Sequence, residues 1–238
     1  MSKTGTDLIG KAHPEPQTRA RVFLIEDHPI VVQGLTQIIN QERDLIVCGH
    51  AAGVHYAREE IRRLKPDLAV ADIALKEING LELIKALRSQ FPELPILTLS
   101  MHDEAVYAER SLRAGAGGYI MKDQATENLV GAIRKVLSGD IYLSERMTSV
   151  LLHQIAERRT PGLLSPVERL SDRELEVFEL IGKGHGTKEI ANELHLSIKT
   201  IESYREQIKQ KLSLHNATQL IQDALRWVEN GQATKPRN

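Results

Sequence analysis

Three acidic side chains stand where they could share one ion: Glu26 and Asp27, adjacent in I-E-D-H-P at 25–29, and Asp72, which ends P-D-L-A-V-A-D at 66–72. Each closes a short apolar run of the kind that forms a buried strand. If those strands are neighbours, the carboxylates converge and repel one another. A hard divalent cation relieves that repulsion, and magnesium prefers oxygen ligands of this type. Ser100 ends another apolar run, and Lys122 follows a further one. An ammonium neutralises phosphoryl oxygens and a hydroxyl hydrogen-bonds to one, so the set suits the holding of a phosphoryl group. Taken singly, each residue has a plainer reading: a strand-end aspartate is commonly a turn or cap residue, Glu26 and Asp27 a solvated loop pair, Lys122 a surface lysine.

Bringing these groups together requires a parallel sheet. Short β-branched runs at 22–26, 45–49, 68–72, 96–100 and 118–121 alternate with longer amphipathic segments, which is the mark of an α/β fold. Ile30, Val31, Leu35, Ile38 and Ile39 recur at helical spacing after the first run, as do Ile61 with Leu64 and Leu83 with Leu87. In such sheets, groups that act chemically collect at the carboxyl ends of the strands.

After Tyr142 the strand signal stops, and R-R-T-P-G at 158–162 marks a break. Four helices are expected at 172–182, 187–195, 198–212 and 216–228. Ser171 precedes Glu174 by three residues, the spacing of a capping box. Leu196 and Ser197 form a connection short enough for a helix-turn-helix. On the third helix Ile198, Ile201, Tyr204, Ile208 and Leu212 form an apolar stripe, while Lys199, Thr200, Glu202, Ser203, Arg205, Glu206 and Lys209 project elsewhere. A major groove admits one such helix; Lys199, Arg205 and Lys209 can meet phosphates or guanine edges, whereas Glu202 can only accept, as from cytosine N4.

The chain has 238 residues, enough for two domains that each bury a core, with 41% hydrophobic and 26% charged residues. A net charge of −1 gives no general signal for nucleic acid, so local distribution decides. No apolar run approaches the roughly 20 residues that cross a bilayer, and the polar start with Pro14 and Pro16 lacks a secretory core. Neither a membrane partner nor export is expected, and the location expected is cytoplasmic. The single cysteine, Cys48, lies in an apolar run and reads as a buried core thiol. The nine histidines form no close metal-ligand pattern in the sequence.

The motifs at 25–29 and 66–72, with L-T-L-S-M-H-D-E at 97–104 and G-Y-I-M-K-D at 118–123, resemble in order and spacing the receiver domain of bacterial response regulators. The segments L-S-D-R-E-L-E-V-F-E-L-I-G-K-G at 170–184, T-K-E-I-A-N-E-L at 187–194 and S-I-K-T-I-E-S-Y-R at 197–205 resemble the LuxR-type helix-turn-helix. Together the chain is similar to the NarL/FixJ class. The resemblance implies a flavodoxin-like five-stranded receiver at 21–141 and a four-helix output domain at 166–230. A flexible tail at 1–20, a linker at 142–165 and a tail at 231–238 complete the expected organisation. It further implies that Asp72 is the phosphoacceptor and that Mg2+ is held by Glu26, Asp27, Asp72 and the backbone carbonyl of Ala74. Ser100, Lys122 and Tyr119 would stabilise or sense the phosphoryl group. Lys188, Lys199, Thr200, Glu202, Ser203, Arg205 and Lys209 would face DNA. A sensor histidine kinase and double-stranded DNA are the implied partners. A homodimer would pair through the last helix, where Leu220, Ile221, Ala224, Trp227 and Val228 are the candidates, with core packing the first reading of Trp227.

The chain departs from that pattern after Asp72, where Leu75 takes a position often filled by methionine and Lys76 the usual place of proline. Two other functions are compatible with an aspartate beside a cation. A haloacid-dehalogenase phosphatase would need a second aspartate two residues on, where this chain has Ala74. A receiver used without phosphorylation, as a binding or dimerisation module, would not need Glu26, Asp27, Asp72, Ser100 and Lys122 together.

Overall fold

The computed structural model describes residues 19–75, 80–156 and 166–229. Lys76 and much of the expected linker and tails lie outside them. Five strands, β1 (Ala20–Ile25), β2 (Leu45–Ala51), β3 (Leu68–Asp72), β4 (Ile96–Ser100) and β5 (Gly118–Met121), form one parallel sheet in the order β2-β1-β3-β4-β5. Every pairing in it is parallel.

The strands are apolar on both faces because helices cover both faces. Val22, Leu24, Val70, Leu97 and Leu99 point to one side, where α1 (Pro29–Asn40) supplies Leu35 and Ile39 and α5 (Ala125–Leu137) supplies Leu129, Ile133 and Val136. Phe23, Ile25, Ala69, Ala71 and Ile96 point to the other side, toward α2 (Val54–Leu64), α3 (Gly80–Gln90) and α4 (Glu104–Ala114). The order reverses between β1 and β3, and the crevice at their carboxyl ends is the site where such sheets bind ligands.

Strands β3, β4 and β5 have the expected bounds. β1 begins earlier, at Ala20, and β2 runs on through Gly49 and His50 to Ala51. β2 is an edge strand, so backbone pairing with β1 carries it past a glycine and a histidine that break the apolar pattern. For the same reason Cys48 is only half-buried, in place of the core position its neighbours suggested.

The segment expected as linker carries a helix, α6 (Glu145–Ala156), with Met147 buried. The output domain then follows as α7 (Asp172–Gly182), α8 (Thr187–Glu193), α9 (Ile198–Lys211) and α10 (Ala217–Glu229). The capping box forms: Ser171 N–H donates to Glu174 Oε2 at 2.6 Å, and Glu174 N–H donates to Ser171 Oγ at 3.4 Å. Phe178 of α7 meets Trp227 of α10 with ring centroids 5.5 Å apart at 54°. α7 approaches α10 so closely that a methyl on Gly182 would overlap the Ala224 carbonyl, so only glycine fits there. The apolar cluster on the α2–α4 side of the sheet also takes in Met147, Val167, Leu170, Leu175 and Phe178. The output domain therefore packs on the receiver.

Candidate functional site: an acidic pocket at the strand ends and an exposed helix

β1 and β3 lie side by side, with Ile25 opposite Ala71, so Glu26 and Asp72 emerge next to each other. Ligand atoms of Glu26, Asp27, His28 and Asp72 all lie within 4.8 Å of one another. Lys122 reaches in from the turn after β5 and donates to Glu26 Oε2 at 2.6 Å and to Asp72 Oδ2 at 2.8 Å. The other Asp72 oxygen, Oδ1, accepts from Ala74 N–H at 2.8 Å. Both oxygens are thus aimed by fixed donors. Beyond Asp72, Gly80 N–H donates to the Ile73 carbonyl at 3.2 Å. A side chain on Gly80 would overlap the Ile73 backbone.

The electrostatics follow from burial. Asp72 is 1% exposed, and that burial raises its carboxyl from the ordinary aspartate value. The Lys122 and Ala74 hydrogen bonds work against the rise, and the Glu26 charge adds to it. Burial alone would lower the Lys122 ammonium, but its bonds to Asp72 and Glu26 outweigh this and raise it. One cation is therefore held firmly between two anions.

Sequence reasoning missed His28. Its Nδ1 lies 2.8 Å from Asp27 Oδ1 and 3.0 Å from Glu26 Oε1. Its amide also donates to Glu26 at 2.9 Å. The signal was in I-E-D-H-P, since a residue immediately after two clustered acids can turn back onto both.

Ser100 is buried at the end of β4, and its Oγ accepts from His102 N–H at 2.9 Å. Tyr119 on β5 is 2% exposed and donates to the His102 carbonyl at 2.8 Å. Burial raises its phenol, with the Ser100 hydroxyl opposing. Ser100 and Tyr119 thus hold the two sides of one residue, His102.

On α9 the outward face is solvent-exposed. Lys199, Glu202 and Ser203 are exposed, Thr200, Arg205 and Lys209 half-exposed, and Lys188 of α8 exposed. Thr200 N–H is capped by Ser197 Oγ at 3.0 Å, which fixes the first turn. Glu206 pairs with Lys209 at 2.8 Å. Ile201 and Ile208 are buried, but Ile198 is 48% exposed and does not belong to the stripe assigned to it. At 100° per residue it lies about 60° from that stripe, in the first turn.

Burial also corrects part of the dimer set. Leu220, Ala224 and Trp227 are core residues packed toward α7, because they share the inward face of α10. Val228 is half-buried, and Ile221 with Leu225 forms the exposed apolar face.

Similarity to known proteins falls along the same division. The profile for the response regulator receiver domain matches residues 22–134, and that for bacterial regulatory proteins of the luxR family matches residues 168–224. The oxygen regulatory protein NreC of Staphylococcus carnosus (strain TM300) is 35% identical over 210 residues, 87% of this chain and 97% of NreC. NreC of Staphylococcus aureus (strain JH9) matches with the same identity and coverage. Among solved structures, RcsB of Salmonella enterica serovar Typhimurium, bound to promoter rprA with the phosphomimetic BeF3-, is 27% identical. Its TM-score is 0.60, over 88% of this chain and 99% of that one. A second RcsB structure, described by its conformational dynamism for DNA interaction, is 26% identical with a TM-score of 0.64, over 88% and 98%.

Proposed function

We propose, for a chain that belongs to the NarL/FixJ-class response regulators and joins a receiver to a luxR-type DNA-binding domain, that Asp72 accepts a phosphoryl group and thereby controls how α9 meets DNA. The observation that carries the reading is Lys122, whose ammonium bridges Asp72 and Glu26 inside the acidic pocket. A sensor histidine kinase, carrying the group on an imidazole nitrogen, is the partner donor. An Asp72 oxygen bonds to phosphorus as the phosphorus bond to the donor's imidazole nitrogen breaks, and the electron pair leaves on that nitrogen. The Ala74 amide and Lys122 orient the attacking carboxylate. Lys122 and Ser100 then face the added oxygens.

The donor set fits magnesium, since its carboxylates converge within 4.8 Å. Glu26, Asp27, Asp72 and the Ala74 carbonyl would hold the ion. When bound, it supplies positive charge to the phosphoryl oxygens. Acetyl phosphate with Mg2+ is expected to add the mass of one phosphoryl group to the intact protein, and EDTA to stop the gain. Gain that survives EDTA would refute the metal role, and absence of gain would refute the acceptor.

RcsB binds promoter DNA and forms dimers on it. By that likeness, Lys188, Lys199, Thr200, Glu202, Ser203, Arg205 and Lys209 face the duplex, and Ile221 with its exposed neighbours pairs two copies. The functional units are residues 21–141 and 166–230, acting in the cytoplasm. No helix among the described residues is long and apolar enough to cross a membrane. Lys199→Ala should weaken binding to all sequences and lower the salt slope by about 1. Glu202→Gln should instead change the preferred base at one position, read by selection from a random duplex library. Equal effects of both variants on every sequence would remove Glu202 from base reading.

A further inference from the structure

Glu179 is a carboxylate in the middle of an apolar helix face, between Phe178 and Leu180, and is 3% exposed. A buried charge needs partners, and two of its partners come from the other domain. Tyr107 of α4 donates its hydroxyl to Glu179 Oε2 at 2.9 Å, and His102 Nδ1 lies 3.2 Å from Oε1. The two rings stack at 4.5 Å. The remaining partner, Lys183 at 2.8 Å, is one turn along α7 itself. Burial would raise the Glu179 carboxyl, but the hydrogen bond and charge of His102, then Lys183, pull it down to about 2. A second contact flanks the first. Asp172, at the start of α7, accepts from Arg110 at 2.9 Å and from Lys85 at 2.9 Å, and Arg110 also donates to the Leu170 carbonyl at 3.0 Å.

His102 links this joint to the phosphorylation pocket. Its amide donates to Ser100 Oγ and its carbonyl accepts from Tyr119, while its ring reaches Glu179. We propose that the α3–α4 face of the receiver is a docking site for α7, with Glu179 as the plug and His102 and Tyr107 as the socket, and that Ser100 gates it through His102. The inference rests on Asp72 as the phosphoacceptor. When Ser100 Oγ turns toward a phosphoryl group on Asp72, it leaves the His102 amide. The backbone that aims the imidazole at Glu179 then loses its anchor.

Opening has a low barrier in charge terms. Lys183 travels with Glu179, so the carboxylate enters water with a counter-ion and is never left buried alone. Asp172 remains in the first turn of α7, where the helix dipole favours a negative charge. The groove-reading face of α9 is exposed while α7 is docked. The joint therefore controls where the output domain points and whether two copies can pair, and it does not cover the DNA-reading surface.

The test uses the full chain and small-angle scattering, with intact mass to report labelling by acetyl phosphate. Phosphorylated wild type should be more extended than the unphosphorylated protein. Glu179→Gln and Tyr107→Phe should be extended without phosphate, since losing a hydrogen bond to a charged group shifts opening by about tenfold or more. Both should still gain the phosphoryl mass, with no further extension. Tyr107→Phe removes one receiver hydroxyl and leaves the α7 core untouched, so agreement of the two variants separates opening from unfolding. Ser100→Ala, which lacks the Oγ that anchors the His102 amide, should be extended without phosphate and extend no further when labelled, and Ser100→Ala with Glu179→Gln should be no more extended than either single variant. Compact Glu179→Gln or Tyr107→Phe, a labelled wild type that stays compact, or an unlabelled Ser100→Ala as compact as wild type would each overturn the joint. Failure of wild type to gain mass would instead overturn the acceptor on which it rests.

Discussion

Asp72→Asn is expected to abolish the mass gain from acetyl phosphate completely while leaving the fold intact. An amide has no anionic oxygen to attack phosphorus, so the loss is of the reaction and not of a fraction of its rate. The substitution is isosteric, and the asparagine oxygen can still accept from Ala74 N–H, as Asp72 Oδ1 does at 2.8 Å. Lys122 retains Glu26 as its partner. Removing one of several clustered carboxylates also relieves repulsion, because burial and the Glu26 charge already raise Asp72. The thermal midpoint should therefore be equal to or above that of wild type. Intact-mass spectra and a melting curve on the same sample check both halves, and labelling equal to wild type would assign the phosphoryl group to another residue.

Trp227→Ala should have the largest effect on stability. The indole is 3% exposed and packs on Phe178 across the α7–α10 contact. Truncating such a ring in a close-packed core costs about 3–5 kcal/mol, which approaches the whole stability of a small domain. Denaturant titration should then show the output domain losing its cooperative transition while the receiver keeps its own. Ile221→Ala, on the exposed face of the same helix, should leave both transitions in place and weaken only pairing of copies. A cost below about 1 kcal/mol for Trp227→Ala would mean that the site collapses around the truncation and that the indole is not a core anchor.

The sheet was legible because its strands are buried on both faces, so the apolar runs at β3, β4 and β5 end where the strands end. The pocket was legible because its chemistry sits at those ends in a fixed order: Asp72, Ser100 and then Lys122. Edge positions were less so. β2 has one partner and an exposed side, which let Gly49 and His50 hide its length. The first turn of α9 failed for a related reason, because Ile198 matches the helical period closely enough to join the stripe and yet lies at an open end. Non-local contacts left no periodic trace at all. The α4–α7 joint brings His102 to Glu179, separated by 77 residues. Its only sequence signal is an unexplained glutamate between Phe178 and Leu180, and an acid in that place requires a partner from elsewhere.

The outward face of α9 stays in solvent although α7 is docked, and this bears on the kinetics of the response. If Lys199 and Lys188 meet phosphates as proposed, that attraction has no regard to sequence, and a resting molecule would slide and hop along duplex DNA. Promoter search would then proceed before any signal arrives. On the proposed function, phosphorylation would then alter dwell time at a site already visited, through the pairing of copies. The delay between signal and occupancy would accordingly be set by chemistry at Asp72 and by dimer encounter, with the one-dimensional search already under way.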